Sequence, residues 1–196
     1  MSHSQQGQVM NERRSWVPFA GGAIGVGLVV LLAWFTRGTL QPVEVGSPAP
    51  QIAAFDLQGT PRTLDDYRGK VLLLNIWATW CTPCKAEMPS MQRLYEEVGG
   101  DDFEVLAVSI DRAPPNDDPT NPLDGKLQAF ADSLGLSFTI LHDPESKITT
   151  GFQTTGVPES FVIDREGIIV EKVSGPREWD APRSVEMIRS VIAGGR

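Results

Sequence analysis

The 196-residue chain has two cysteines, and both stand in the stretch Trp80-Cys81-Thr82-Pro83-Cys84-Lys85. The stretch is a junction. Before it runs Val71-Leu72-Leu73-Leu74-Asn75-Ile76-Trp77, a continuous apolar segment of strand length that reads as a central buried strand. After it, Met88, Met91, Leu94, Tyr95 and Val98 recur at helical spacing until Gly99-Gly100 ends the pattern. The spacing therefore predicts a helix over 81–98, with Cys81 at its N-terminus and Cys84 one turn further in. Pro83 is tolerated so early in a helix, whereas Pro89 sits inside it and should kink it.

The rest of the soluble region alternates in the same way. Ile52 to Phe55 and Pro61 to Leu64, around Gln58-Gly59, predict a short hairpin. Phe103 to Ile110 is a second buried strand, and Leu123 to Leu134 a helix closed by Gly135. Between them, residues 112–122 hold four prolines and read as a loop. Phe138 to Leu141 is a strand and Glu145 to Phe152 a short helix. Ser160 to Ile163 and Ile168 to Val173 flank Asp164-Arg165-Glu166-Gly167, a hairpin with a tight turn, and Asp180 to Ala193 is the closing helix. Strands alternating with helices and then a hairpin give an α/β sheet with parallel and antiparallel parts.

No charged residue occurs from Ser15 to Thr36. That segment is long enough to cross a hydrocarbon core of about 30 Å, which takes about 20 helical residues. Trp16 and Trp34 stand at its ends, Arg13 and Arg14 precede it, and after Arg37 no Lys or Arg follows until Arg62. The positive-inside rule then places the N-terminus in the cytoplasm and the remainder on the extracytoplasmic side. The small-x-small site of a cleaved signal peptide is poorly matched after Leu32, a twin-arginine signal fits weakly, and a buried core helix would not be apolar all round. The expected organisation is a cytoplasmic tail (1–15), a transmembrane anchor (16–36), a Gly/Pro/Ser-rich linker (37–50) and one domain (51–196). A net charge of −8 argues against a nucleic-acid binder.

Two thiols at this spacing can form and break a disulfide between themselves. Outside the cytoplasm disulfides persist, yet no further cysteine exists to form a structural one, which favours a working pair over a brace. Helix-terminal N–H groups and the helix dipole favour a thiolate at Cys81, making it the attacking sulfur and Cys84 the resolving one. The alternatives are a permanent C-x-x-C disulfide or half of a zinc site. Zinc needs two more ligands, and the only histidines are His3 and His142.

Trp77-Ala78-Thr79-Trp80-Cys81-Thr82-Pro83-Cys84-Lys85-Ala86-Glu87-Met88-Pro89 resembles the active-site motif of the TlpA/ResA-like thioredoxin family of membrane-anchored, extracytoplasmic thiol–disulfide oxidoreductases. The likeness runs from about Val45 to Ile192. It takes in Gly46-Ser47-Pro48-Ala49-Pro50, Gly69 to Asn75, Val108-Ser109-Ile110-Asp111 and Gly156-Val157-Pro158. It implies a thioredoxin-like fold, a central mixed sheet flanked by helices with an extra N-terminal hairpin, preceded by one transmembrane helix. It also implies a cis-proline at Pro158 beside the redox pair, where Val157 offers its backbone to an extended substrate. On the residues alone, Gly156-Val157-Pro158 is an ordinary trans turn. The resemblance gives Glu87 the place of an active-site glutamate that tunes the thiols and relays protons; on spacing alone it is a solvent-facing helix residue. Trp80, Thr82, Pro83, Val157 and Glu159 are the implied substrate contacts.

Two departures stand out. Asn75 occupies the place of the buried aspartate of cytoplasmic thioredoxins, which shifts proton work to Glu87 or water. Glu159 after the proline is similar to the CcmG/DsbE type, whereas Gly175-Pro176-Arg177-Glu178-Trp179 looks more like TlpA. The function implied is reduction of partner disulfides, in apocytochrome c or in a copper-site assembly protein of cytochrome oxidase. Electrons would come from a DsbD/CcdA-type membrane thiol carrier, with no bound cofactor and no metal. Rival readings are an oxidant or isomerase of secreted proteins, a peroxidase, and a redox-inert copper chaperone using Cys81, Cys84 and His142.

Overall fold

The computed structural model describes residues 17–36, 42–114 and 122–194, with side chains from 25 onward in the first of these stretches and only as far as 34. The expected tail (1–15), Trp16, residues 37–41 of the expected linker and 115–121 of the Pro-rich loop lie outside the described residues. The chain divides into two units, one ending at Gln41 and the other running Pro42–Arg196.

The first unit contains α1, Val17–Thr36, a 20-residue helix. Its described large apolar side chains, Val26, Leu28 to Leu32 and Trp34, are all more than half exposed. Among the described residues no helix is long and apolar enough to cross a membrane.

The second unit is built on one seven-stranded sheet in the order β2-β1-β5-β4-β3-β6-β7. In chain order its elements are β1 (Ala54–Asp56), β2 (Pro61–Arg62), β3 (Val71–Trp77), α2 (Thr82–Val98), β4 (Phe103–Ser109), α3 (Lys126–Leu134), β5 (Thr139–His142), α4 (Lys147–Gly151), β6 (Glu159–Ile163), β7 (Ile169–Ser174) and α5 (Pro182–Ile192). Strand β3 pairs parallel with β4 and antiparallel with β6, and β4 pairs parallel with β5. The mixed α/β sheet and the N-terminal hairpin agree with the sequence.

All seven residues of β3 are buried, because both faces of the sheet are covered. Alternation along the strand divides them. Val71, Leu73 and Trp77 join Met88, Met91 and Leu94 of α2 and Val185 and Ile188 of α5 in one core. Leu72, Leu74 and Ile76 join Phe152 and Phe161 in the other. By the same alternation Asn75 faces α2, and in β6 Ser160 and Val162 share that face while Glu159 and Phe161 take the opposite one.

Two boundaries differ from the expectations. Residues 42–50 belong to the domain rather than to a tether. Val43 is buried, and the segment lies along the open edge of β7: Gly46 N–H donates to Ile169 O (2.7 Å), Ile169 N–H to Ser47 O (2.9 Å) and Ala49 N–H to Gly167 O (2.8 Å). An edge strand leaves backbone groups unpaired, and this segment satisfies those of Ile169 at the start of β7 and the carbonyl of Gly167 just before it, in spite of its prolines, which lack only their own N–H. Helix α3 begins at Lys126 rather than Leu123, because Leu123, Asp124 and Gly125 take φ of 55°, 53° and 75°, outside any right-handed helix.

Gly99 closes α2 by donating its N–H to Tyr95 O at 2.7 Å. A Cβ at Gly99 would overlap that same carbonyl oxygen. Gly99→Ala should destabilise the domain by about 1–3 kcal/mol, seen as a lower urea midpoint with an unchanged slope. An unchanged midpoint would show that the helix end relaxes freely.

Candidate active site

Strand β3 delivers the chain to the redox loop. Cys81 is the N-cap of α2, with φ −85° and ψ 103°, and its sulfur accepts the Cys84 N–H at 3.2 Å. Cys81 and Cys84 form a disulfide, with Cα atoms 5.3 Å apart. Both are buried, at 4% and 0% exposure, while Trp80 between strand and helix is 66% exposed. Thr82 and Pro83 are exposed as well, so the loop shows solvent its flanking side chains and little of its sulfur.

The peptide bond Val157–Pro158 is cis. The Val157 carbonyl oxygen lies 3.6 Å from Cys81 Sγ, close enough to accept a weak hydrogen bond from the thiol in the reduced state. Pro158 is buried and Val157 half-buried. The register Ile76↔Glu159 brings this loop level with the end of β3.

Glu87 is 2% exposed and points inward, not to solvent. Its Oε1 accepts from Asn75 Nδ2 (2.8 Å) and its Oε2 from Arg177 N–H (3.1 Å). The second amide hydrogen of Asn75 goes to Ser160 Oγ (2.9 Å). Ser90, one helical turn on, accepts the Trp179 N–H at 3.0 Å and donates to the Glu87 carbonyl at 2.7 Å. Burial pushes the Glu87 carboxyl up to about 7; the Arg177 N–H, the Asn75 amide and the Trp179 indole pull it the other way. The Trp179 indole nitrogen is near enough to act on the charge but makes no hydrogen bond of good geometry. A carboxyl in this range can give or take a proton at neutral pH.

Glu159 is placed differently from the expected substrate contact. Its side chain is buried, on the sheet face away from Cys81, where Oε1 accepts from Ser174 Oγ (2.8 Å) and faces Lys172 Nζ (3.7 Å). The cause is the period of the strand: one residue after Pro158 the side chain falls on the far face, and Ser160 returns to the near one. His142 is also occupied, its Nε2 donating to the Asp111 carbonyl at 2.7 Å. Among the described residues no three His, Cys, Asp or Glu side chains form a metal cluster.

Asn75, Ser90 and the backbone of Arg177 were not singled out as partners of Glu87 by the sequence, nor Ser160 as the partner of Asn75. One signal was present: Asn75 is the sole polar residue in the apolar run of β3, where a buried amide must find partners.

A thioredoxin-like sheet carrying a C-x-x-C disulfide at a helix N-terminus defines a thiol–disulfide oxidoreductase. Comparison with known proteins agrees. Residues 45–172 match the AhpC/TSA family. The thiol-disulfide oxidoreductase ResA of Geobacillus kaustophilus is 33% identical over 84% of this chain and 88% of its own. Among solved structures, a putative thiol:disulfide interchange protein DsbE from Chlorobium tepidum is 27% identical with a TM-score of 0.62, covering 78% of this chain and 97% of its own. A putative protein disulfide isomerase from Bacteroides thetaiotaomicron is 28% identical with a TM-score of 0.65, covering 77% and 91%. The chain belongs to the AhpC/TSA thioredoxin-like family and is a thiol–disulfide oxidoreductase of the ResA/DsbE type.

Because folding raises the Glu87 pKa from 4.5 to about 7, the stability this carboxyl contributes is full below pH 4.5 and is lost as pH rises through 7. In the oxidised protein, the stability of wild type minus that of Glu87→Gln should therefore fall across that window, by up to about 3 kcal/mol, and be flat above it. Paired urea titrations at several pH values measure it; a difference that does not change with pH would place the Glu87 pKa at its ordinary value.

Proposed function

We propose that this protein is a membrane-anchored, extracytoplasmic reductase of partner disulfides, serving cytochrome c maturation or cytochrome oxidase assembly. The observation that carries the reading is the redox pair itself, at the N-terminus of α2 against the Val157 carbonyl, with Trp80, Thr82 and Pro83 exposed around it.

In the reduced protein the helix N-terminus favours the Cys81 thiolate. The thiolate attacks one sulfur of the substrate disulfide; a Cys81–substrate disulfide forms and the other substrate sulfur leaves as a thiolate. Cys84 then loses its proton and attacks Cys81 Sγ, so that the mixed disulfide breaks, the second substrate thiolate leaves and the Cys81–Cys84 disulfide remains. Two electrons have passed from the dithiol to the substrate. Glu87, one helical turn beyond Cys84 and with a pKa of about 7, is suited to take the Cys84 proton. The Val157 backbone, with Trp80 and the exposed first turn of α2, receives an extended segment of the substrate. No bound cofactor enters these steps. A membrane thiol carrier of the DsbD/CcdA type returns the two electrons.

The anchor reading is supported by the absence of charge from Ser15 to Thr36 and by Trp16 and Trp34 at the two ends of that stretch. Direction toward reduction rests on the resemblance of the Trp77-to-Pro89 motif to the TlpA/ResA-like family, which implies reduction of partner disulfides. The copper-chaperone reading would need His142 beside the two sulfurs, and among the described residues no three His, Cys, Asp or Glu side chains are grouped.

Cys84→Ser, expressed in the native host, should accumulate mixed disulfides between Cys81 and its physiological partners, identifiable by mass spectrometry after non-reducing separation. An apocytochrome c or a copper-site assembly protein among them is the expected result. If Cys81→Ser trapped the same partners through Cys84, the assignment of attacking and resolving sulfurs would be reversed.

A further inference from the structure

We propose that Asp111 is a positioning residue for the redox loop: it holds Thr79, and through Thr79 the turn that presents Trp80 and Cys81 to a substrate disulfide. The inference rests on the reading of Cys81 as the attacking sulfur.

Only Ala78, Thr79 and Trp80 separate the end of β3 from Cys81. They form a turn closed by the Cys81 N–H on the Ala78 carbonyl at 3.1 Å, with Thr79 and Trp80 at its centre. Trp80 projects into solvent, so its own packing does not fix the turn. The fixing comes from the neighbouring strand. Asp111 Oδ2 accepts the Thr79 N–H at 2.8 Å, and Oδ1 accepts the Thr79 hydroxyl at 2.7 Å. One carboxylate thus grips both the main chain and the side chain of a single residue, two positions before the sulfur. Bonds of this kind to a charged, nearly buried acceptor are among the stronger ones in a protein.

Asp111 is itself held on three sides. The Ser109 hydroxyl donates to its Oδ2 (2.7 Å), its own N–H donates to Ser109 Oγ (3.1 Å), and its carbonyl accepts from His142 Nε2 (2.7 Å). The parallel register Trp77↔Ser109, continued by the Ile110 N–H on the Trp77 carbonyl at 2.9 Å, sets Asp111 level with the turn. Asp111 is 7% exposed and His142 2% exposed, so the clamp is a buried construction under an exposed turn. A carboxylate that served only to satisfy its own strand end would need Ser109 and would leave Thr79 to solvent. Here two of its three side-chain bonds go to Thr79.

The test uses the full chain in detergent and two readouts: the rate of Cys81 alkylation by iodoacetamide in the reduced protein, and kcat and KM for reduction of insulin disulfides with dithiothreitol supplied to regenerate the dithiol. Thr79→Val, Asp111→Asn, the double variant and Thr79→Ser are compared, each with its thermal midpoint. Thr79→Val and Asp111→Asn should each slow alkylation and lower kcat about tenfold, the size expected for losing a charge-assisted hydrogen bond. The double variant should be no slower than the slower single, because both act through one contact. Thr79→Ser keeps the hydroxyl and should keep the rates. Thr79→Val decides the matter if Asp111→Asn does not fold. Variants that lose thermal midpoint but stay within twofold of wild type in both rates would reduce Asp111 to a stabilising role, and multiplicative losses in the double variant would break the link to Thr79. Retained activity in Cys81→Ser would overturn the underlying reading and this inference with it, whereas wild-type rates in the Thr79 and Asp111 variants overturn this inference alone.

Discussion

The pairing of β3 on both of its edges is the constraint on which the site depends. A seven-residue strand with every side chain buried cannot slip, because a shift of one residue would exchange the two cores. Its register therefore fixes what stands beside its C-terminal end. On one side Ile76↔Glu159 brings Val157–Pro158 alongside the redox loop; on the other Trp77↔Ser109 brings Asp111 under Thr79. Within the sheet Asn75↔Ser160 makes a direct cross-strand pair, and the two side chains hydrogen-bond. The disulfide belongs to α2, but its neighbours come from the segments that adjoin β4 and β6, and β3 is the strand that pairs with both.

The buried polar groups near the sulfurs separate into two kinds. Asp111 is matched by the Thr79 and Ser109 donors and acts on the shape of the loop. Glu87 is less completely matched: one amide and one backbone N–H meet its oxygens, and burial wins. Asn75 adds to the imbalance, since its Oδ1 finds no partner while both of its amide hydrogens are used. An unpaired buried acceptor next to a carboxyl that prefers to be neutral is unfavourable for stability. Both lie between the central strand and the helix that carries the thiols, where a proton has to move during exchange.

Much of the frame could be read from the chain because it rests on local pattern. The apolar run of β3, the helical spacing after Cys84 and the turn at Asp164 to Gly167 each lie within one short stretch. The site's second tier could not be read that way. Asn75 and Arg177 meet Glu87 across sequence separations of 12 and 90 residues, and Ser160 meets Asn75 across 85, through strand register and helix docking that no window contains. Glu159 shows the reverse failure. Adjacency to Pro158 suggested a place at the substrate, but alternation carries its side chain through the sheet to Ser174 and Lys172. Residues 42–50 read as linker because Pro and Gly dominate them, yet an open sheet edge was waiting for the donors and acceptors they retain.

The character of Glu87 is not a property of α2 alone. As a lone helix residue three positions past Cys84 it would be an ordinary acid in water. The segment after β7 changes that. Arg177 lays its N–H on Glu87 Oε2, Trp179 fixes itself to Ser90, and the fully buried Trp179 ring packs into the core that holds Met88 and Met91. This removes water from the carboxyl, and the loss of hydration is the largest influence on its pKa. The proton affinity next to the redox pair is thus set by chain some 90 residues away in sequence, held by a backbone donor and an indole. Side-chain changes at Arg177 would leave that donor in place, while any change that frees residues 175–179 from α2 would readmit water and return Glu87 toward an ordinary carboxylate.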